Sequence, residues 1–541
     1  MKFRITTGVT TLGLVVGLSA GGLKAQQTST SEPRNPKQTA PANAPSGLGR
    51  VAYQQTPPQL PGTAAPGVPS VPAPPVVPAP PGVPAPPDTA VPAPPAVQGA
   101  PGNVTESLRS DNDLSLPKSE REGGGGEPTE AVAAAEAAAA PAKDETKLLM
   151  NALGMEESKV KVYGWLQNSF TGNTNGTPKN GQNFGVNPNY LANRWMGNQY
   201  YLIFEKPLEQ GDKLNFGFRV DNLFGNDWQF NHSHGFADTS AKLNHFNGYD
   251  LAQVYVEVHL PPVISKGGTD IKGGRFYTIL GYEVVPATGR PLLSVPYMFN
   301  YGQPFCHEGV LATTHVTDRF NWYNGTVNGW DRWFNETYKW SYLGGFSWTS
   351  KSGKASLAVS YVFGPDQFPR FLPANTVIFP TGYSPPGFMA GRRNPGYGGN
   401  WRATATTVFT YKWSDTFTQV LETDQAKEKN VPGWGPGGTP KDAEWYSFGN
   451  WFLWQFWKKD DRDYMTAVWR SEVFRDNGGI RTGTGISTNY YEMTVGLIWK
   501  PKSYIWVRPE LRYDWAQGAH PYSDGTRNSQ FTIGVDAILL Y

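Results

Sequence analysis

From Val160 to Tyr541 apolar side chains recur at every second position in short runs. No stretch there keeps the longer period of an amphipathic helix. The last run is the clearest. Phe531, Ile533, Val535, Ala537, Leu539 and Tyr541 share one face, with Thr532, Gly534 and Asp536 between them; Ile538 and Leu540 blur the contrast. In 503–515, Ile505, Val507, Pro509 and Leu511 alternate with Trp506, Arg508, Glu510 and Arg512, and Asp514 continues the charged side. The same rule predicts about sixteen strands: 160–170, 197–206, 213–222, 251–261, 271–280, 306–317, 319–328, 340–350, 355–363, 401–412, 416–424, 444–457, 463–474, 489–499, 504–514 and 529–541.

The connections arrange these strands. Short links such as 207–213, 317–318, 413–415 and 500–503 alternate with long ones such as 171–195, 223–250, 281–304 and 364–400. An even number of strands with short turns at one end and long loops at the other predicts an all-β, closed antiparallel transmembrane β-barrel. A soluble sandwich has no reason to gather its long loops at one end. An arginine or lysine on a lipid-facing strand position costs ~2–4 kcal/mol at the bilayer midplane. The charged stripes are therefore expected to face a polar lumen or to pair with a plug. They nominate Arg219 and Asp221 (with Leu214, Phe216, Phe218 and Val220 outside), Glu257 and His259 (with Ala252, Val254, Val256, Val258 and Leu260 outside), and Arg508, Glu510, Arg512 and Asp514. Taken singly, each of these charges is open to a plainer reading, a salt bridge that stiffens the wall. In the long link 281–304, Glu283 and Arg290 are the candidates for a constriction; an ordinary external loop is the alternative.

The N-terminal part changes the picture on one point, that of compartment. Residues 1–25 carry Lys2 and Arg4, a short apolar core from Val9 to Leu18, and Leu23-Lys24-Ala25 as a cleavage site, which reads as a signal peptide. Residues 26–143 form a Pro/Ala/Gly-rich spacer with a repeated Val-Pro-Ala-Pro-Pro phrase, predicted disordered and periplasmic. At ~3.1 Å per residue, about forty such residues reach on the order of 120 Å, enough for contact with the cell wall. A short helix is expected within 144–157, and the barrel over 158–541. The whole chain carries a net charge of +2, and the first 25 residues hold three bases and no acid. That near-neutral balance gives nucleic acid no basic footprint. The single cysteine, Cys306, excludes an intrachain disulfide.

Motifs for chemistry are weak. Gly433-Trp434-Gly435-Pro436-Gly437-Gly438 fits a dinucleotide-binding template but sits in a proline-bearing link with no helix behind it. His232, His234, Asp238 and His245 share one long link and read as solvated rather than as metal ligands. No enzyme, metal or cofactor is expected.

Four phrases resemble those of β-barrel porins of the OmpL-like class. They are Gly217 to Asp227, Ile271 to Glu283, Tyr297 to Val310 and Gly325 to Asp331, in the family's order and spacing over roughly 158–541. The proline-rich extension is not part of that pattern. The resemblance implies an outer-membrane barrel with a pore. The expected function is passive diffusion of small hydrophilic solutes in the outer membrane of a diderm bacterium. The expected partners are outer-membrane lipid, the barrel-assembly machinery, the cell wall through the spacer, and further copies of the chain. The alternative is a surface interaction or adhesion protein with a closed or plugged barrel.

Overall fold

The alternation is realised as one continuous ladder. The computed structural model describes residues 147–541 apart from 234–235, 237–245, 264, 336–338, 366–400, 432–438 and 461–462. A short helix, α1 (Lys147–Ala152), precedes the strands. These are β1 (Lys161–Asn173), β2 (Arg194–Lys206), β3 (Asn215–Gly225), β4 (Gly248–Leu260), β5 (Thr269–Tyr277), β6 (Cys306–Thr317), β7 (Phe320–Val327) and β8 (Ser341–Thr349). The second half comprises β9 (Ala355–Pro365), β10 (Trp401–Ser414), β11 (Phe417–Val431), β12 (Lys441–Asp460), β13 (Asp463–Asn477), β14 (Thr488–Lys502), β15 (Ile505–Ala516) and β16 (Ser529–Leu540). Each pairs antiparallel with its sequence neighbours, and β16 returns to β1, so the sheet closes. Closure removes the unpaired edge that a sheet in lipid cannot leave open. Among the described residues no helix is long and apolar enough to cross a membrane.

All sixteen expected strands are present. The largest difference in length is at β11 and β12, whose ladder runs on through Lys427↔Glu444 and Glu428↔Ala443. Side-chain alternation loses its apolar face there, while backbone pairing continues. On β15 and β16 the two faces separate sharply: Leu511 is 44% and Ile533 50% exposed, against 1% for Arg508 and 0% for Arg512. Ile538 and Leu540, which blurred the sequence pattern, are buried in one cluster with Trp165, Tyr201 and Trp506. The inner wall at the Tyr541 end of the seam is therefore apolar, and the polar pair Gln167–Asp536 follows it along the strands.

One expected orientation is wrong. Alternation places Ala252 on the outer face, yet it is fully buried. Asp221 pairs with Gln253 and the next residue, Asn222, pairs with Leu251, so Ala252 is the extra residue of a β-bulge. Beyond the bulge the phase reverses, and Asp250 rather than Leu251 is the buried residue.

The seam itself is narrow. Gly164 and Tyr541 exchange backbone hydrogen bonds of 3.1 and 3.0 Å. A Cβ on Gly164 would lie 1.8 Å from the Tyr201 carbonyl oxygen and 2.8 Å from the Tyr541 hydroxyl. Gly164→Ala must therefore push β1 away from β2 or β16. The expected outcome is a marked loss of the heat-modifiable folded form on a denaturing gel; a wild-type yield would mean the seam relaxes freely.

Residues 1–25 and 26–143, expected to be a signal peptide and a spacer, the glycine motif 433–438 and His234, Asp238 and His245 lie outside the described residues. His232 is described, with Nδ1 3.9 Å from an Asp250 oxygen. Among the described residues no group of three or more His, Cys, Asp or Glu is placed to hold a metal ion.

Candidate functional site

Residues 278–305, between β5 and β6, fold inward. Their composition explains why: Leu280, Leu292, Leu293, Val295, Tyr297 and Met298 are each no more than 2% exposed. Four prolines, at 286, 291, 296 and 304, keep the segment from forming a long helix. Only two short turns interrupt it, Ala287–Gly289 and Met298–Gly302. An irregular apolar segment carries backbone N–H and C=O groups that must find partners once they leave water. The barrel wall supplies them from side chains.

Carboxylates meet the N–H groups. Glu510 on β15 accepts from Leu293 at 3.0 Å and Ser294 at 3.0 Å. Glu472 on β13 accepts from Tyr297 at 2.6 Å and from Met298. Glu422 on β11 accepts from Tyr282 at 3.1 Å. Arginines meet the carbonyls. Arg508 donates to Ala287 O at 2.9 Å and Arg290 O at 2.5 Å. Arg470 donates to Ser294 O at 2.6 Å, and Arg512 to Val295 O at 2.7 Å. Gln199 on β2 does both, donating to Val285 O and accepting from Ala287 N. Thr406 on β10 accepts from Gly281 N. Strands β2, β10, β11, β13 and β15 are spread over the arc that runs from β10 round to β2, and only the interior touches all of them. The segment after β1 joins this packing: Val295 N donates to Asn187 O at 2.8 Å, and Gln530 donates to Phe184 O at 2.6 Å.

The candidates read from the sequence fall into two sets. Arg508, Glu510, Arg512 and Asp514 point inward but are covered. Arg508 also pairs with Asp536 at 2.5 Å, and Arg512 with Asp514 at 2.8 Å. Glu283 and Arg290 lie on the infolded segment itself. Glu283 accepts from Trp451 Nε1 at 3.0 Å and pairs with Arg470 at 3.3 Å. Arg290 lies 3.6 Å from Asp227. The other four stand in separate wall clusters. Arg219 binds Asp221 at 2.7 Å and Glu205 at 3.5 Å. Glu257 lies 3.8 Å from Lys272. His259 shares Asp270 with His315, at 2.6 and 2.9 Å.

Sequence reasoning missed Arg470, Glu472, Gln199, Glu422, Asp424 and Gln303. The first two were within reach. In β13, Met465, Ala467, Trp469, Ser471 and Val473 alternate with Thr466, Val468, Arg470, Glu472 and Phe474, by the rule that found the β15 charges. Glu422 and Asp424 gave no such signal, because the other face of β11 is also polar, with Gln419, Thr423, Gln425 and Lys427.

A family model described as putative beta-barrel porin-2, OmpL-like, matches residues 159–541. No curated protein matches the chain. Among solved structures, the chain is similar to the outer membrane channel DcaP of Acinetobacter baumannii, at 9% identity over 71% of this chain and 97% of that one, with a TM-score of 0.44. It is similar to an anion-selective porin from Comamonas acidovorans at 11% identity, over 71% and 99% of the two chains, with a TM-score of 0.44. OprB of Pseudomonas putida aligns at 12% identity over 72% and 97%, with a TM-score of 0.43.

Proposed function

The chain belongs to the OmpL-like beta-barrel porin-2 family of outer-membrane barrels, and on that premise we propose that it gives small hydrophilic solutes a passive path across the outer membrane. The observation that carries this reading is the infolded segment 278–305. It is fixed to the inner wall by side-chain hydrogen bonds from several strands, which is how a barrel narrows its lumen without closing it by sheet rearrangement. Solute size is then set by the space the segment leaves, and charge preference by the groups beside it. In the same reading residues 1–25 are a signal peptide removed on export, 26–143 a periplasmic spacer that reaches the cell wall, and the barrel is inserted by the assembly machinery and associates with further copies.

Planar-bilayer recording on the purified, heat-modifiable protein tests the proposal. Discrete conductance steps in potassium chloride are the expected result. A correctly folded barrel that never conducts would instead be a closed wall presenting its long loops, and the surface-interaction reading would replace the porin.

A further inference from the structure

At the short-turn end of the barrel, one turn does not stay on the rim. Residues 207–214 join β2 to β3, and β3 pairs next with β4. Gln210 and Gly211 nevertheless reach side chains on β4 and β5. Gln210 Nε2 donates to Asp270 Oδ2 at 2.8 Å. Gly211 O lies 2.8 Å from His259 Nε2. His259 and Asp270 stand opposite each other in register, with Glu257 and Lys272 one row further along the same face. That face is the inner one: His259 is fully buried, while Val256 and Leu260 of the other face are exposed. His315 on β6 stands opposite Asn321 on β7. The turn is therefore folded inward, over the mouth of the barrel at that end.

The histidines that hold it are arranged for protons. Asp270 Oδ1 is 2.6 Å from His259 Nδ1, and Asp270 Oδ2 is 2.9 Å from His315 Nε2. The second nitrogen of each ring also meets an oxygen, Gly211 O at 2.8 Å for His259 and Asn321 Oδ1 at 2.9 Å for His315. Four ring nitrogens thus face four oxygens. A neutral imidazole donates from one nitrogen and presents a lone pair on the other, whereas a protonated one donates from both. All four contacts are hydrogen bonds only when both rings are charged. When both are neutral, two of the four set a lone pair against an oxygen. The turn bears part of that loss, because His259 Nε2 is then left with Gly211 N–H at the longer distance of 3.3 Å. Gln210 Nε2, 3.1 Å from His315 Nε2, shares the same Asp270 oxygen with it.

The other charged groups around the cluster have places of their own. Glu257 lies 3.8 Å from Lys272. Glu209 accepts from Asn215 at 3.0 Å, and Lys206 donates to Phe216 O. Asp212, Lys213, Lys266, Asp318 and Arg319 are exposed on the turns.

We propose that His259, Asp270 and His315 form a proton-operated latch, which holds turn 207–214 across the mouth when both rings are charged and lets it swing away when they are neutral. The latch rests on the porin reading for its effect, a narrower path in acid. Imidazole changes charge between about pH 5 and about pH 8. The closed arrangement uses two protons, so by linkage acid strengthens it and rising pH loosens it.

Hydrogen exchange of the full-length folded protein, read by mass spectrometry, tests the latch without any need for conduction. Corrected for the intrinsic rate, the amides of 208–213 are expected to exchange about tenfold more slowly at about pH 5 than at about pH 8. Single-channel conductance should fall in acid over the same range. His259→Gln with His315→Gln, whose amides keep a donor for Asp270 but do not titrate, should flatten both profiles. Gln210→Ala, which removes a tie of the turn itself, should speed exchange of the turn at about pH 5, and serves if the double variant does not fold. Turn exchange that is equal in acid and base overturns the latch and leaves the porin standing. So does a pH profile that survives unchanged in the double variant. Exchange that follows pH while conductance does not overturns the effect on the path. A barrel that never conducts removes the porin reading, and the exchange profile still decides on the latch.

Discussion

Replacing Arg470 and Arg508 together by alanine should raise single-channel conductance several-fold while leaving the barrel folded. Each guanidinium bridges wall and segment. Arg470 joins Glu492 at 2.9 Å to Ser294 O at 2.6 Å and Glu283 at 3.3 Å. Arg508 joins Asp536 at 2.5 Å to the carbonyls of Ala287 and Arg290. Removing one partner of a buried ion pair typically costs 3–5 kcal/mol, since the other charge is left buried and unpaired. The strands are not the place where this cost is relieved. The ladders of β13 and β15 are made by backbone groups that the substitutions leave alone. The segment 278–305 is what can move, by giving its carbonyls and Glu283 back to water. Lysine at the same positions should be intermediate, because an ammonium keeps the charge but loses the planar fork that binds several acceptors at once. Conductance histograms of the folded variants decide the matter. A wild-type conductance would show that the segment does not bound the narrowest part of the path.

Truncation after Ile538, or Tyr541→Asp, should abolish accumulation of the folded barrel in the outer membrane. The last residues close the ring: Leu539 and Leu540 pair with Leu166 and Trp165, and Tyr541 exchanges backbone hydrogen bonds with Gly164. Its hydroxyl donates to Tyr201 O at 2.9 Å, tying β16 across β1 to β2. Without these residues the start of β1 is left as a free edge. In lipid each unsatisfied backbone group costs several kcal/mol. Aspartate keeps the backbone but exchanges the aromatic anchor for a charge at the seam. Tyr541→Phe is the control. It should lose about 0.5–1.5 kcal/mol with its one hydrogen bond, and still assemble. Cell fractionation and heat-modifiability read all three. Normal outer-membrane levels of the truncated or Asp variant would mean that closure does not depend on this seam.

The strand number, the order of short and long connections, the closing pair and most of the two faces are legible in the order of residues. The reason is that period-2 alternation and turn spacing are local, and closure follows from having every strand pair with its neighbour. The inward direction of Arg508, Glu510, Arg512 and Asp514 is of this kind. What those charges touch is not. The segment groups that Arg508, Glu510 and Arg512 hold, on Ala287, Arg290, Leu293, Ser294 and Val295, lie more than two hundred residues earlier in the chain. No local period can announce that a proline-broken apolar segment will dock there. The same limit hid the Ala252 bulge, which becomes visible only against the register of β3. It also hid Glu422 and Asp424, which hold Tyr282 and Gln303 of the infolded segment. Such contacts depend on everything packed around a residue, and that surrounding is assembled only when the chain has folded.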